Sequence, residues 1–93
     1  MPQLEEVLPA ILGKKITGIV AKVSKKSTSP SSQVILVFSD NTSLELYTTY
    51  GQITSASGLD RGGMQAARQY LDDAMQITLD AYLNEYGKVV RRV

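Results

Sequence analysis

The chain contains no cysteine, no histidine and no tryptophan among its 93 residues. Without cysteine it can form neither a disulfide framework nor a thiolate metal site. Without histidine it lacks the commonest general base, the commonest metal ligand and the residue that activates serine in a hydrolytic triad. No ligand spacing joins Asp72 and Asp73 to Asp80 or Glu85, so these acids are assigned to a helix exit, a solvated face and a turn. These absences predict a protein that is not an enzyme and that uses no metal and no cofactor.

The sequence also lacks the roughly 18 consecutive apolar residues that a membrane span requires. Its first residues, MPQLEEVLPA, lack the basic start and the long apolar core of a signal peptide. A chain of 93 residues has room for one small core, so residues 1–93 are predicted to be a single domain. We therefore expect a soluble, cytoplasmic protein with no membrane partner.

An apolar segment near the middle of the chain predicts a central β-hairpin over residues 33–50. Val34 to Phe38 form a short apolar run of mostly β-branched or aromatic residues, which favours a buried strand over a helix. Asp40 and Asn41 tolerate left-handed backbone angles and are predicted to form a two-residue turn. This register gives an apolar face of Ile35, Val37, Leu44 and Leu46, with Val37 opposite Leu44. It gives a second, half-polar face of Val34, Leu36, Phe38, Ser43, Glu45 and Tyr47.

The segments before this hairpin predict a short helix, a strand and a loop. An amphipathic helical spacing is shared by Leu4, Val7, Leu8, Ile11 and Leu12. Pro9 either bends this helix or starts a second short turn, and Gly13 ends it. Residues 15–24 alternate as a strand, and the Ser/Lys-rich segment 24–32 is predicted to be a flexible loop.

The segments after the hairpin predict a weak strand over residues 52–57, then a helix and a second hairpin. The helix has Asp60 as its N-cap and runs to about Leu71. Its buried stripe consists of Met64, Ala67 and Leu71, with Tyr70 beside them. Its solvent side consists of Arg61, Arg68 and Gln69. Strict alternation from Met75 to Leu83 predicts a strand, and a turn ending at Gly87 leads to a return strand over 88–93.

Together these elements predict an α+β fold. It comprises an antiparallel sheet of five or six strands in three hairpin-like units, one main helix packed across one face, and a short N-terminal helix. The main helix is expected to cover the face of Ile35 and Val37. Two alternatives remain for the opposite face, which bears Phe38. Either the N-terminal helix is too small to hide this face, or its apolar residues fold back and cover it within one chain: Leu4, Val7, Leu8, Ile11 and Leu12.

That opposite face supplies the first candidate site. An exposed apolar patch larger than a few hundred Å² usually marks an interaction surface, and a second copy of the chain is the simplest occupant. We therefore expect a non-catalytic interaction module that binds a protein partner, with a homodimer as the simplest case. The candidate partner-binding residues are Val34, Leu36, Phe38 and Tyr47.

An uneven distribution of charge supplies an alternative, a nucleic-acid-binding module. The net charge is only +1, but basic residues concentrate in residues 1–33 and 88–93 around an acidic middle. A basic cluster with exposed tyrosines is what phosphate and base contacts require. The near-neutral total favours solvated strand edges and loops instead. The candidate basic residues are Lys14, Lys15, Lys22, Lys25, Lys26, Lys88, Arg91 and Arg92.

A glycine-rich segment supplies a further alternative, an anion or small-ligand site. Asp60, Arg61, Gly62 and Gly63 stand at the predicted start of the main helix, where free N–H groups and the helix dipole would attract an anion. The segment matches no phosphate-loop pattern. A tight strand-to-helix turn is therefore the favoured interpretation.

Overall fold

The computed structural model describes residues 4–23, 32–49, 52–55, 60–72 and 77–93. Over these residues the chain forms an antiparallel sheet with two α-helices, which confirms the predicted α+β fold. The helices are α1 (Leu4–Val7), which continues as a 3₁₀ helix (Leu8–Ile11), and α2 (Met64–Asp72). The strands are β1 (Ile16–Val23), β2 (Ser32–Phe38), β3 (Thr42–Thr49), β4 (Gln52–Ser55), β5 (Asp60–Arg61), β6 (Leu79–Leu83) and β7 (Val89–Arg91).

Across the described residues the strand order is β4-β3-β2-β1-β6-β7, and the two-residue strand β5 pairs with β3. All pairings are antiparallel. The helix α2 lies on one side of this sheet and the N-terminal segment (residues 4–11) on the other. We call these sides the α2 face and the α1 face.

The register of the central hairpin differs by one residue from the predicted register. Val37 pairs with Ser43 and Leu36 pairs with Leu44, so the predicted pairing of Val37 with Leu44 is wrong. The loop has three residues, because Asn41 takes the left-handed conformation (φ 65°) and its N–H donates to the Phe38 carbonyl at 3.1 Å. A turn followed by a left-handed residue is the usual three-residue hairpin loop. Ser39 therefore belongs to the loop.

This shift exchanges the side chains of β3 between the two faces, because side chains alternate along a strand. Leu44 and Leu46 lie on the α1 face, and the α2 face receives Glu45 beside Ile35. Glu45 is buried there. Gln33 Nε2 donates to its Oε2 at 2.8 Å and the Tyr70 hydroxyl donates to its Oε1 at 3.3 Å. These hydrogen bonds offset part of the cost of burying the carboxylate.

The core on the α2 face joins the helix to the middle strands. Its buried members are Val20, Ile35, Val37, Ala67 and Leu71, with Met64 and Ile77 packed against them. The predicted stripe of α2 is therefore confirmed. Gly18 allows α2 to approach β1 closely, since a Cβ at this position would lie 2.9 Å from Met64 Cγ.

The helix α2 begins at Met64, so the prediction that Asp60 is its N-cap is wrong. The backbone of Asp60 and Arg61 pairs with Ser43 and Thr42 as β5. The N–H of Gly62 donates to the Asn41 carbonyl at 2.8 Å. Because Asp60 and Arg61 pair with β3, the helix begins only after Gly62 and Gly63.

The core on the α1 face is formed by the N-terminal segment on β2 and β3. Its buried members are Val7, Phe38 and Leu44, with Leu8, Ile11, Leu36 and Leu46 packed against them. The α-helix changes to a 3₁₀ helix that contains Pro9, and Gly13 follows with φ 82°. A second short turn at Pro9 is thus confirmed. Of the two alternatives for Phe38, cover by the N-terminal segment is the correct one, because Val7 packs on Phe38 and Phe38 is fully buried.

The second predicted hairpin is confirmed over residues 79–91. β6 and β7 are joined by a turn in which Gly87 has φ 74° and the Asn84 side chain accepts from the N–H groups of Tyr86 and Lys88. The strand begins at Leu79, so the prediction that it includes Ile77 and Thr78 is wrong; Ile77 packs against the core on the α2 face. The predicted strand positions Met75 and Gln76 lie outside the described residues, as do residues 24–31 of the predicted loop 24–32, whose last residue, Ser32, begins β2.

Arg68 and Asp80 are placed differently from their predicted positions on solvated faces. Asp80 is buried on the α2 face, and Arg68 Nε and Nη2 donate to its two carboxylate oxygens at 2.6 and 2.9 Å. The Arg68 guanidinium also lies over the Tyr82 ring, 5.5 Å from its centroid. The pair links α2 to β6 at the border of the core.

Candidate functional site

The four predicted partner-binding residues do not lie on one face of the sheet, although Val34 and Tyr47 both border a small groove at its end. Val34, Leu36 and Phe38 share the α1 face, but Tyr47 pairs with Gln33 and lies on the α2 face. Phe38 is buried under the N-terminal segment. Only Val34 and Leu36 are partly accessible on the predicted side. The one-residue register shift is the reason, because it moves Tyr47 to the other side of the sheet.

The α1 face is nevertheless open over β1, β6 and β7. No residue that the structure describes packs over this half, and a shallow groove of about 190 Å³ runs along it. Ile16 is 45% exposed and Val89 is 69% exposed. We call the apolar side chains that line this groove the apolar strip: Ile16, Ile19, Ala81, Leu83 and Val89. Sequence reasoning missed this surface because it depends on the strand order.

Strand pairing places the apolar strip beside charged residues. One row of the α1 face runs through Leu44, Leu36, Ile19, Ala81 and Arg91, each paired with the next. The N-terminal segment packs on the Leu44 end of this row and presents Glu5 and Glu6, which are exposed. Arg91 is exposed at the other end. The α1 face is therefore acidic at one side and basic at the other.

The predicted basic residues are divided between the two ends of the sheet. Lys22 pairs with Gln33 at the end of β1 that is remote from the β2–β3 turn. Lys15 lies at the opposite end, next to this turn, where its carbonyl accepts from the Ser39 N–H. Lys88 follows the β6–β7 turn. Arg91 lies on the α1 face, and Arg92 donates its N–H to the Asp80 carbonyl at 2.7 Å. Lys25 and Lys26 lie outside the described residues. The described basic residues thus do not gather on one surface.

Lys14 is committed to an ion pair. Its amine donates to the Asp40 carboxylate in the β2–β3 turn. The hydrogen bonds from Lys14 and from the Thr42 hydroxyl lower the pKa of Asp40 to about 2. Lys14 therefore stabilises the β2–β3 turn, and its charge is already paired with Asp40.

The predicted anion-site residues do not all lie at the start of a helix, because the first two belong to a strand and α2 begins at Met64. Asp60 and Arg61 are in β5, and the Gly62 N–H is bonded to Asn41. Gly63 contributes its carbonyl to α2, accepting from Ala67 at 3.1 Å. Arg61 instead borders a cleft of about 370 Å³ between α2 and β3. The described residues contain no cluster of acids that could hold a metal ion.

Comparison of the chain with protein-family models, curated proteins and solved structures gives no significant match. None of the helices in the described part of the chain has the length and apolar character needed to cross a bilayer.

Proposed function

We propose that the protein is a non-catalytic interaction module that binds a second copy of itself through the α1 face. The observation that carries this proposal is the apolar strip, which no described residue of the same chain covers. Burying a large apolar side chain fully stabilises by about 1.5–3 kcal/mol. Since the strip contains the exposed side chains of Ile16 and Val89, covering it would supply a substantial part of a binding free energy.

A two-fold arrangement of two α1 faces satisfies the shape of this surface. With the axis parallel to the strands and midway between the sheets, β3 and β4 of one copy lie above β6 and β7 of the other. Each N-terminal segment then fills the space above the apolar strip of its partner. The described chain measures 39 × 29 × 18 Å, so its broad side is large enough for the ~800 Å² that each partner buries in a standard interface.

The charges of the α1 face favour a second copy as the occupant. Reversing the order of the strands across the axis brings Glu5 and Glu6 of one copy towards Arg91 of the other, twice per dimer. Self-complementary charge of this kind is what a two-fold interface requires. It also sets the orientation of the two sheets.

Sedimentation over a wide concentration series tests the proposal. The wild-type chain should shift from monomer to dimer with concentration, and Arg91→Glu should raise the dissociation constant about ten-fold or more. Adding Glu5→Arg and Glu6→Arg to Arg91→Glu should restore dimerisation, because the charges are then exchanged. Arg92→Glu is the matched control, since it changes the net charge equally but lies off the α1 face.

A wild-type chain that remains monomeric at every concentration would refute the proposal. Equal effects of Arg91→Glu and Arg92→Glu would also contradict it, because they would show that only net charge matters. Val89→Asp adds an apolar test. If the dimer forms and this substitution leaves its mass and affinity unchanged, the interface lies elsewhere.

A further inference from the structure

The α2 face contains a cleft that the proposed dimer does not use. It has a volume of about 370 Å³ and lies between α2 and the strands β2 and β3. Its walls combine the apolar side chains of Ile35, Ala66 and Ala67 with the polar residues Ser43, Glu45, Arg61 and Tyr70. A small number of polar groups in a partly apolar cleft of this size is typical of small-molecule sites.

The carboxylate of Glu45 is the chemically distinctive group in this cleft. Glu45 is only 8% exposed. It accepts from Gln33 Nε2 at 2.8 Å and from the Tyr70 hydroxyl at 3.3 Å, and both donors are neutral. No ion pair to Glu45 is present in residues 4–23, 32–49, 52–55, 60–72 and 77–93. A buried acid in a cleft thus lacks a cationic partner among the described side chains.

Burial of a carboxylate costs free energy unless the charge is paired. Two hydrogen bonds use only part of the acceptor capacity of the two oxygens, so further donors can be accommodated. Lys22 is on the same face, but it pairs with Gln33 on the next strand and makes no described ion pair with Glu45. Arg61 borders the same cleft but makes no described ion pair with Glu45 either. A cationic ligand would supply a charge partner that no described ion pair supplies.

We propose that this cleft binds a small organic cation, with a primary ammonium group donating to Glu45. Gln33 holds Oε2 in place, and the Tyr70 hydroxyl shares Oε1 with the ligand. Tyr70 is largely exposed at the mouth of the cleft, where its ring can cover the apolar part of the ligand and contact the cation. Ile35 and the alanines of α2 form the apolar floor.

Benzylammonium is a suitable probe, and benzyl alcohol is its neutral analogue of similar size. In heteronuclear NMR titrations, benzylammonium should shift the Glu45 carboxyl carbon and the amides of Ser43 and Ala66 in a saturable manner. Benzyl alcohol should bind at least about ten-fold more weakly than benzylammonium, since it lacks the charge. Saturation with equal affinity for both compounds would overturn the proposal.

Glu45→Gln keeps the shape of the side chain and removes its charge, so it should weaken benzylammonium binding about ten-fold or more. Glu85→Gln is the matched control, because Glu85 is exposed in the β6–β7 turn and has the same charge. Equal affinities of these two variants would refute a role for Glu45. If Glu45→Gln fails to fold, the change in the Glu45 carboxyl chemical shift of the wild-type chain on adding benzylammonium still tests the proposal, because it needs no substitution. Shifts confined to residues outside the cleft would also refute it.

Discussion

Replacing Arg68 by methionine tests the ion pair that joins α2 to β6. Arg68 binds both carboxylate oxygens of Asp80, at 2.6 and 2.9 Å. The hydrogen bond to Asp80 raises the pKa of Arg68, so the guanidinium stays charged at every accessible pH. The two side chains are unequally buried, with 23% of Arg68 and 5% of Asp80 exposed. This inequality determines what each substitution costs.

Arg68→Met leaves the Asp80 carboxylate buried and unpaired. Removing one partner of a buried pair destabilises by about 3–5 kcal/mol. Asp80→Asn should cost less, about 1–3 kcal/mol, because the more exposed guanidinium can turn towards water. A domain of 93 residues has a total stability of roughly 5–14 kcal/mol, so Arg68→Met should remove a large share of it.

Urea unfolding of the variants measures these differences in the free energy of unfolding. The double variant Arg68→Met with Asp80→Leu replaces the pair by apolar groups and should recover most of the loss, since such replacements are often neutral. Arg92→Met is the control, and its exposed side chain should change stability by less than about 0.5 kcal/mol. A loss below about 1 kcal/mol for Arg68→Met would show that the pair is not effectively buried.

Two further predictions concern the packing of α2 and the β2–β3 turn. Gly18→Ala should lower the free energy of unfolding by about 1–3 kcal/mol, because the added methyl group overpacks against Met64. In the double variant with Met64→Ala, urea unfolding should show a total loss smaller than the sum of the two single losses. Additive losses would contradict the close approach of α2 to β1. Hydrogen bonds from Lys14 and then from Thr42 lower the pKa of Asp40 from 3.8 to about 2. The ionised Asp40 therefore stabilises the fold fully above pH 3.8, and this contribution is lost as the pH falls through about 2. NMR titration of the Asp40 carboxyl carbon should give this midpoint, and Lys14→Met should raise it; a wild-type midpoint at 3.8 would contradict the turn geometry.

Features that depend on local periodicity and backbone conformation could be predicted from the amino-acid sequence. Alternation predicted the strand that ends at Leu83, and Gly87 predicted the turn after it. The helical spacing of Met64, Ala67 and Leu71 predicted the buried stripe of α2. Such patterns can be recognised in a sequence because side chains point in the same direction every two residues in a strand and about every three and a half residues in a helix.

Which residues face one another across the sheet depends on long-range pairing and could not be predicted from local patterns. Alternation defines two sets of side chains on a strand but not their register against the next strand, so the single residue Ser39 in the loop was enough to move Glu45 and Tyr47 to the α2 face. The burial of Asp80 likewise depends on Arg68, which is distant in sequence.

The candidate sites were decided by the same long-range contacts. The placement of β6 beside β1 created the apolar strip and separated the basic residues. The cleft requires α2, β2 and β3 together. These arrangements result from pairing and packing between distant segments, and such contacts leave no periodic signal in the sequence.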